Sequence, residues 1–138
     1  MIDIYYEELR RNCAESTKFT TEQMEKVINA VKNVLKFHTI ARKEGLLSLE
    51  EECKSLDKVI EEKYFAELII LVVEGTNSIM VRDYALSRYF GANLTGYEGI
   101  IYLIYLKGTL MIKAGESPVI IEQILEAMLP ENVRKLYI

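Results

Sequence analysis

From Thr20 onward about thirty residues run without a proline, and Met24, Val27, Ile28, Val31, Leu35, His38, Leu46 and Leu49 keep a helical period on one face. That pattern predicts one long amphipathic helix over about 21–53. Its start is well specified: Thr20 is placed as N-cap, Gln23 as its capping-box partner, and Phe19 to staple onto Met24. Gly45 is its weak point, because an interior glycine costs about 1 kcal/mol against alanine. It marks either a bend or a close approach by another backbone. At about 100° per residue, Arg42 falls near the middle of the apolar stripe, between His38, Leu46 and Leu49, while Lys43 and Glu50 lie together on its flank. An unpaired buried charge is very costly, so either Arg42 is paired within the chain or this part of the stripe is left uncovered.

Around that helix the remaining signals are also helical. Asp3 can cap a first helix ending near Ala14, with Tyr6, Leu9 and Cys13 on one face, and 15–18 is a polar linker. Beyond the charged run Glu50 to Lys58, a third helix over about 62–74 stops at Gly75, and Thr76-Asn77-Ser78 supplies a turn and a cap for a fourth. That fourth helix carries Ile79, Val81, Tyr84, Ala85, Leu86 and Tyr89, and Gly91 to Gly96 is a loop. A fifth helix, about 95–113, is apolar nearly all round through Ile100 to Leu106 and should be the most buried element. It ends at Gly115, and Pro118 sits in the first turn of a sixth helix reaching Pro130, before a last turn from Glu131 to Tyr137.

The expectation is a single all-α domain over 1–138, a bundle of about six helices with two helical hairpins, 62–90 and 96–129. Gly45, Gly75, Gly115 and Pro118 are its structural joints. The two hairpins resemble each other: Leu71 to Gly75 parallels Leu110 to Gly115 if one residue is inserted.

Composition removes several function classes. A formal charge of −4 with no basic tract argues against nucleic acid as a partner. Cys13 and Cys53 lack metal-site spacing and read as reduced thiols of a cytoplasmic protein. Met1-Ile2-Asp3 lacks the basic and apolar character of a secretory signal, so no export is expected. The windows Leu68 to Val73 and Ile100 to Leu106 are far shorter than the roughly 20 residues needed to cross a bilayer. His38 is the only histidine and sits on an apolar stripe, the pattern of a packed side chain. Glu50, Glu51 and Glu52, like Glu61 and Glu62, point in different directions on a helix and lack a histidine co-ligand. Gly91, Gly96 and Gly99 form no phosphate-binding pattern, and Tyr97, Tyr102 and Tyr105 read as core and rim packing. Neither catalytic residues nor a metal or cofactor is expected.

Three blocks carry a resemblance. Ala41 to Glu50 is the first, Leu71-Val72-Val73-Glu74-Gly75-Thr76 with the helix from Ser78 to Tyr89 the second, and Gly108 to Pro118 with Ile120, Ile121, Glu122, Leu125, Leu129 and Pro130 the third. In that order they resemble the cytoplasmic regions of MotA, the flagellar motor stator family. The likeness spans about two thirds of the chain, and the Gly115-Glu116-Ser117-Pro118 turn is its most specific part. The chain departs from the family in lacking its four membrane helices and in carrying Lys107 where a glutamate is usual. Without a membrane span it is not expected to conduct ions.

The resemblance implies a partner-binding surface of Arg42, Lys43 and Glu50, because the family's torque-transmitting arginine and glutamate are spaced as Arg42 and Glu50 are. The implied function is a soluble interaction module of the flagellar motor, binding the rotor switch complex or modulating a stator subunit. The alternative is a self-assembling structural or regulatory protein, a homo-oligomer without a motor role. On the residues alone, Arg42 in an intrachain ion pair and Glu50 in a solvated run remains open.

Overall fold

The computed structural model describes residues 3–56 and 58–138. Met1 and Ile2 of the chain start and Asp57 of the charged run lie outside them. Among the described residues there are eight α-helices, three short 3-10 turns and no strand. The helices are α1 (Ile4–Cys13), α2 (Thr21–Glu44), α3 (Leu49–Glu52), α4 (Ile60–Val73), α5 (Ser78–Gly91), α6 (Gly96–Ala114), α7 (Pro118–Ala127) and α8 (Glu131–Tyr137). The count exceeds six because the long helix is broken and the last turn forms a helix of its own.

The all-round apolar stretch of α6 takes the centre, and every residue from Ile100 to Leu106 is buried. α2, α4, α1, α5 and α7 pack onto it. Two glycines set how closely they approach. A Cβ at Gly108 would lie 2.5 Å from Val34 Cγ1 of α2, and one at Gly99 would lie 2.3 Å from Asn12 Nδ2 of α1. No helix among the described residues is long and apolar enough to cross a membrane.

The predicted helix over 21–53 stops at Glu44. Its start is as expected, with Thr20 and Gln23 forming a complete capping box. Its end is made by Gly45, whose N–H closes the last turn on the Ala41 carbonyl at 2.8 Å before φ 90° and ψ 164° turn the chain away. That backbone region is essentially restricted to glycine. Nothing lies within 4 Å of the position a Cβ would take, so Gly45 is a bend and not a close approach. Ser48 secures the turn by donating its hydroxyl to the Gly45 carbonyl at 2.6 Å. Beyond it a 3-10 turn (Leu46–Ser48), α3 and a second 3-10 turn (Cys53–Leu56) fold against α4. Leu49 is buried and Leu46 half-buried there, which is why the apolar period ran on past the bend.

In α1 the face differs by one residue. Asp3 caps the helix by accepting from the Tyr5 amide, but Tyr5, Glu8 and Asn12 are buried, Leu9 and Cys13 are half-buried, and Tyr6 is exposed. Two polar side chains can face inward because each is satisfied: Tyr89 donates its hydroxyl to Glu8 Oε1 at 3.0 Å, Asn12 Nδ2 donates to the Tyr89 hydroxyl at 2.7 Å, and Asn12 Oδ1 accepts from the Gly96 amide at 3.1 Å.

Three helix ends share one construction. A residue of positive φ, Gly75 (85°), Asn93 (55°) or Gly115 (71°), follows α4, α5 and α6. The next amide then reaches back to the helix: Thr76 to Leu71, Leu94 to Tyr89, and Glu116 to Met111. The turns after α4 and α6 therefore correspond at a constant spacing of forty residues, Gly75 with Gly115 and Asn77 with Ser117, and the expected one-residue insertion is absent. Asn77 caps α5 through the Met80 amide, and Ser117 caps α7 through the Ile120 amide ahead of Pro118. The paired helices touch, yet α4 and α5 each pack more on α6, and α7 more on α2, than on each other.

Candidate protein-interaction surface

The last turn of α2 meets the turn between α6 and α7. Because Gly115 lets the Glu116 amide fold back onto Met111, the Glu116 carbonyl is left pointing out of the helix as an acceptor. His38, buried on α2, places Nε2 2.6 Å from that oxygen. A carbonyl only accepts, so the contact is made by Nε2–H. One turn further along α2, Arg42 Nη1 donates to the same oxygen at 3.4 Å. The first and third sequence blocks are thereby brought together at one carbonyl.

Arg42 itself is exposed, and so are Lys43, Glu44 and Gly45. Of the two alternatives for Arg42, pairing within the chain or an uncovered part of the stripe, the fold has the second: α2 ends at Glu44, so Leu46 and Leu49 do not continue its face and Arg42 stands exposed in its last turn. Among the described residues neither Arg42 nor Lys43 has a carboxylate partner, and Glu50 makes no close ion pair, although its charge adds to that of Glu51 in raising the Lys54 ammonium above its ordinary value. Leu47, between them and off the apolar stripe of Leu46 and Leu49, is 76% exposed.

Glu50 is exposed in α3 on the far side of the Gly45 bend. It borders a shallow hollow of about 400 Å³ lined also by Cys53, Lys54, Leu56, Lys63, Ala66 and Ile70. The rest of the acidic run is paired: Glu51 with Lys54 at 2.9 Å and Glu52 with Lys36 at 3.3 Å. Burial, with the Glu50 and Glu52 carboxylates adding to it, pushes the Cys53 thiol up to about 11, and burial raises that of Cys13. Both cysteines are free. Thiols so shifted stay protonated at neutral pH and are poor nucleophiles.

A cleft of about 480 Å³ lies between α2 and the start of α4, with Ile101 and Tyr105 in its lining. Glu22, Glu25, Glu61 and Glu62 line it, with Lys26 Nζ 3.7 Å from the buried Glu61. No group of three His, Cys, Asp or Glu among the described residues is placed to hold a metal ion. Lys107, the departure from the resembled family, donates to the Tyr6 hydroxyl at 2.9 Å and lies 4.8 Å from the Tyr5 ring centroid.

No family model, curated protein or solved structure matches this chain.

Proposed function

We propose that this chain is a MotA-like protein–protein interaction module of the flagellar motor, non-enzymatic and cytoplasmic, which engages the rotor switch complex or a stator subunit through Arg42, Lys43 and Glu50. The observation that carries this reading is the charge exposed at the Gly45 bend: Arg42 and Lys43 on one side have no carboxylate partner among the described residues, and Glu50 on the other makes no close ion pair and feels only the more distant field of Lys54. Exposed Leu47 sits between them. Arginine is enriched among the residues that carry interface binding energy, and charges of both signs set a partner's orientation and encounter rate.

Support also comes from the meeting of the first and third MotA-like blocks at the Glu116 carbonyl, which anchors Arg42 by one hydrogen bond while leaving its charge unneutralised. An Arg42→Glu, Glu50→Arg double variant should lose capture of rotor or stator proteins by about tenfold or more, and should impair swimming when it replaces the native chain. Undiminished capture together with normal motility would remove the reading.

A further inference from the structure

The forty-residue correspondence between the α4–α5 and α6–α7 turns extends into the helices that follow. Val81, Ala85 and Tyr89 of α5 are buried at the same register as Ile121, Leu125 and Leu129 at and after α7. Three outward apolar positions correspond too, beside the exposed pair Asp83 and Gln123. Ile79, Met80 and Tyr84 are 80%, 52% and 37% exposed, and Val119, Ile120 and Ile124 are 62%, 41% and 39% exposed. Each helix thus carries a row of three large side chains turned to solvent, apolar but for the Tyr84 hydroxyl, which donates to Glu67 at 3.3 Å, a recurring feature unlike single scattered surface residues.

The two rows differ in charge. On α5, Asp83 is exposed within the row and has no ion-pair partner among the described residues. On α7, Arg42 is held at the carbonyl of Glu116, the residue before the Ser117 N-cap, and is likewise without a carboxylate. Matching the rows antiparallel sets Ile79 against Ile124 and Tyr84 against Val119. It also brings Asp83 to the first turn of α7, where Arg42 and the positive end of the helix dipole both favour a carboxylate.

We infer that the occupant of the α7 row is the α5 row of a second copy of this chain. The contact is heterologous, so copies add head to tail, forming a closed ring or an open chain according to the rotation between them. It stands apart from the motor reading, since it concerns the purified chain alone, and it makes self-association compete with any foreign partner at Arg42.

Sedimentation velocity on the full chain tests it. The wild type should show concentration-dependent species beyond the monomer. Ile79→Asp and Val119→Asp, both in first turns where an acid suits the helix, should each be monomeric with unchanged helical circular dichroism. An equimolar mixture of the two should form a 1:1 dimer and nothing larger, because each variant keeps the face the other lacks. Independently, Asp83→Arg and Arg42→Glu should each weaken association by about tenfold, and a chain carrying both should recover most of it. A wild type monomeric at every concentration, a mixture that stays monomeric, or sensitivity to only one of the two rows overturns the proposal. Loss of self-association in Ile79→Asp with partner capture intact would separate this contact from the motor surface.

Discussion

Gly99 is where a single atom decides the packing of two helices. A methyl group there would fall inside the Asn12 amide, which holds both the Tyr89 hydroxyl and the Gly96 amide. Gly99→Ala should therefore cost about 1–3 kcal/mol in urea denaturation through overpacking and loss of buried hydrogen bonds. In an Asn12→Ala background the same change should cost much less, and equal costs in both backgrounds would contradict the contact. The buried phenols make a second residue-level statement. Burial, partly offset by the Asn12 amide and reinforced by Glu8, pushes the Tyr89 hydroxyl from 10.0 up to about 12. Tyr102 and Tyr105 are raised further, chiefly by burial. A phenol that titrates higher in the folded than in the unfolded chain stabilises the fold fully below pH 10 and loses that contribution as pH rises towards 12. Stability followed by circular dichroism should accordingly fall between those values, and a Tyr89→Phe chain should fall less steeply across the same window.

At the scale of elements, Gly45 and Gly115 end helices by different backbone geometries, and alanine should distinguish them. Gly115, at φ 71° and ψ 31°, occupies the left-handed region that other residues enter at a cost of about 1–2 kcal/mol. Gly45, at φ 90° and ψ 164°, occupies a region closed to them, so Gly45→Ala should cost more, up to about 3 kcal/mol, or should lengthen α2. Thermal unfolding of the two variants gives the order, and a milder Gly45→Ala with unchanged helix content would refute it. Most element starts were legible in the sequence because caps are local: Asp3, Thr20 with Gln23, Asn77, and Ser117 with Pro118 all act within one turn. The end of α2 was not, because apolar residues continue at helical spacing after the bend and burial of Leu49 against the rest of the fold preserves the pattern. The inward face of α1 was hidden for the opposite reason. Glu8 and Asn12 look like surface residues until Tyr89, far away in the sequence, supplies their partner. Arg42 and Glu50 could be singled out from the sequence, but Arg42's surroundings could not, since they depend on where the α6–α7 turn lands.

For the molecule as a whole, α6 is the axis against which α1, α2, α4, α5 and α7 pack, and the loss of its side chains should be felt globally. Ile104→Ala, at a fully buried position, should cost about 2–5 kcal/mol, whereas Ile124→Ala on the outward row of α7 should change stability by less than about 0.5 kcal/mol. Similar costs for both would mean that α6 is not the core. The single histidine gives this architecture a built-in gauge. Nε2–H of His38 and the guanidinium of Arg42 share one oxygen, so whatever draws Arg42 away alters the electron density that His38 feels. With one imidazole in the chain, its two ring-nitrogen resonances need no residue assignment, and any ligand, copy or partner that takes hold of Arg42 would announce itself as a shift of the protonated Nε2 line.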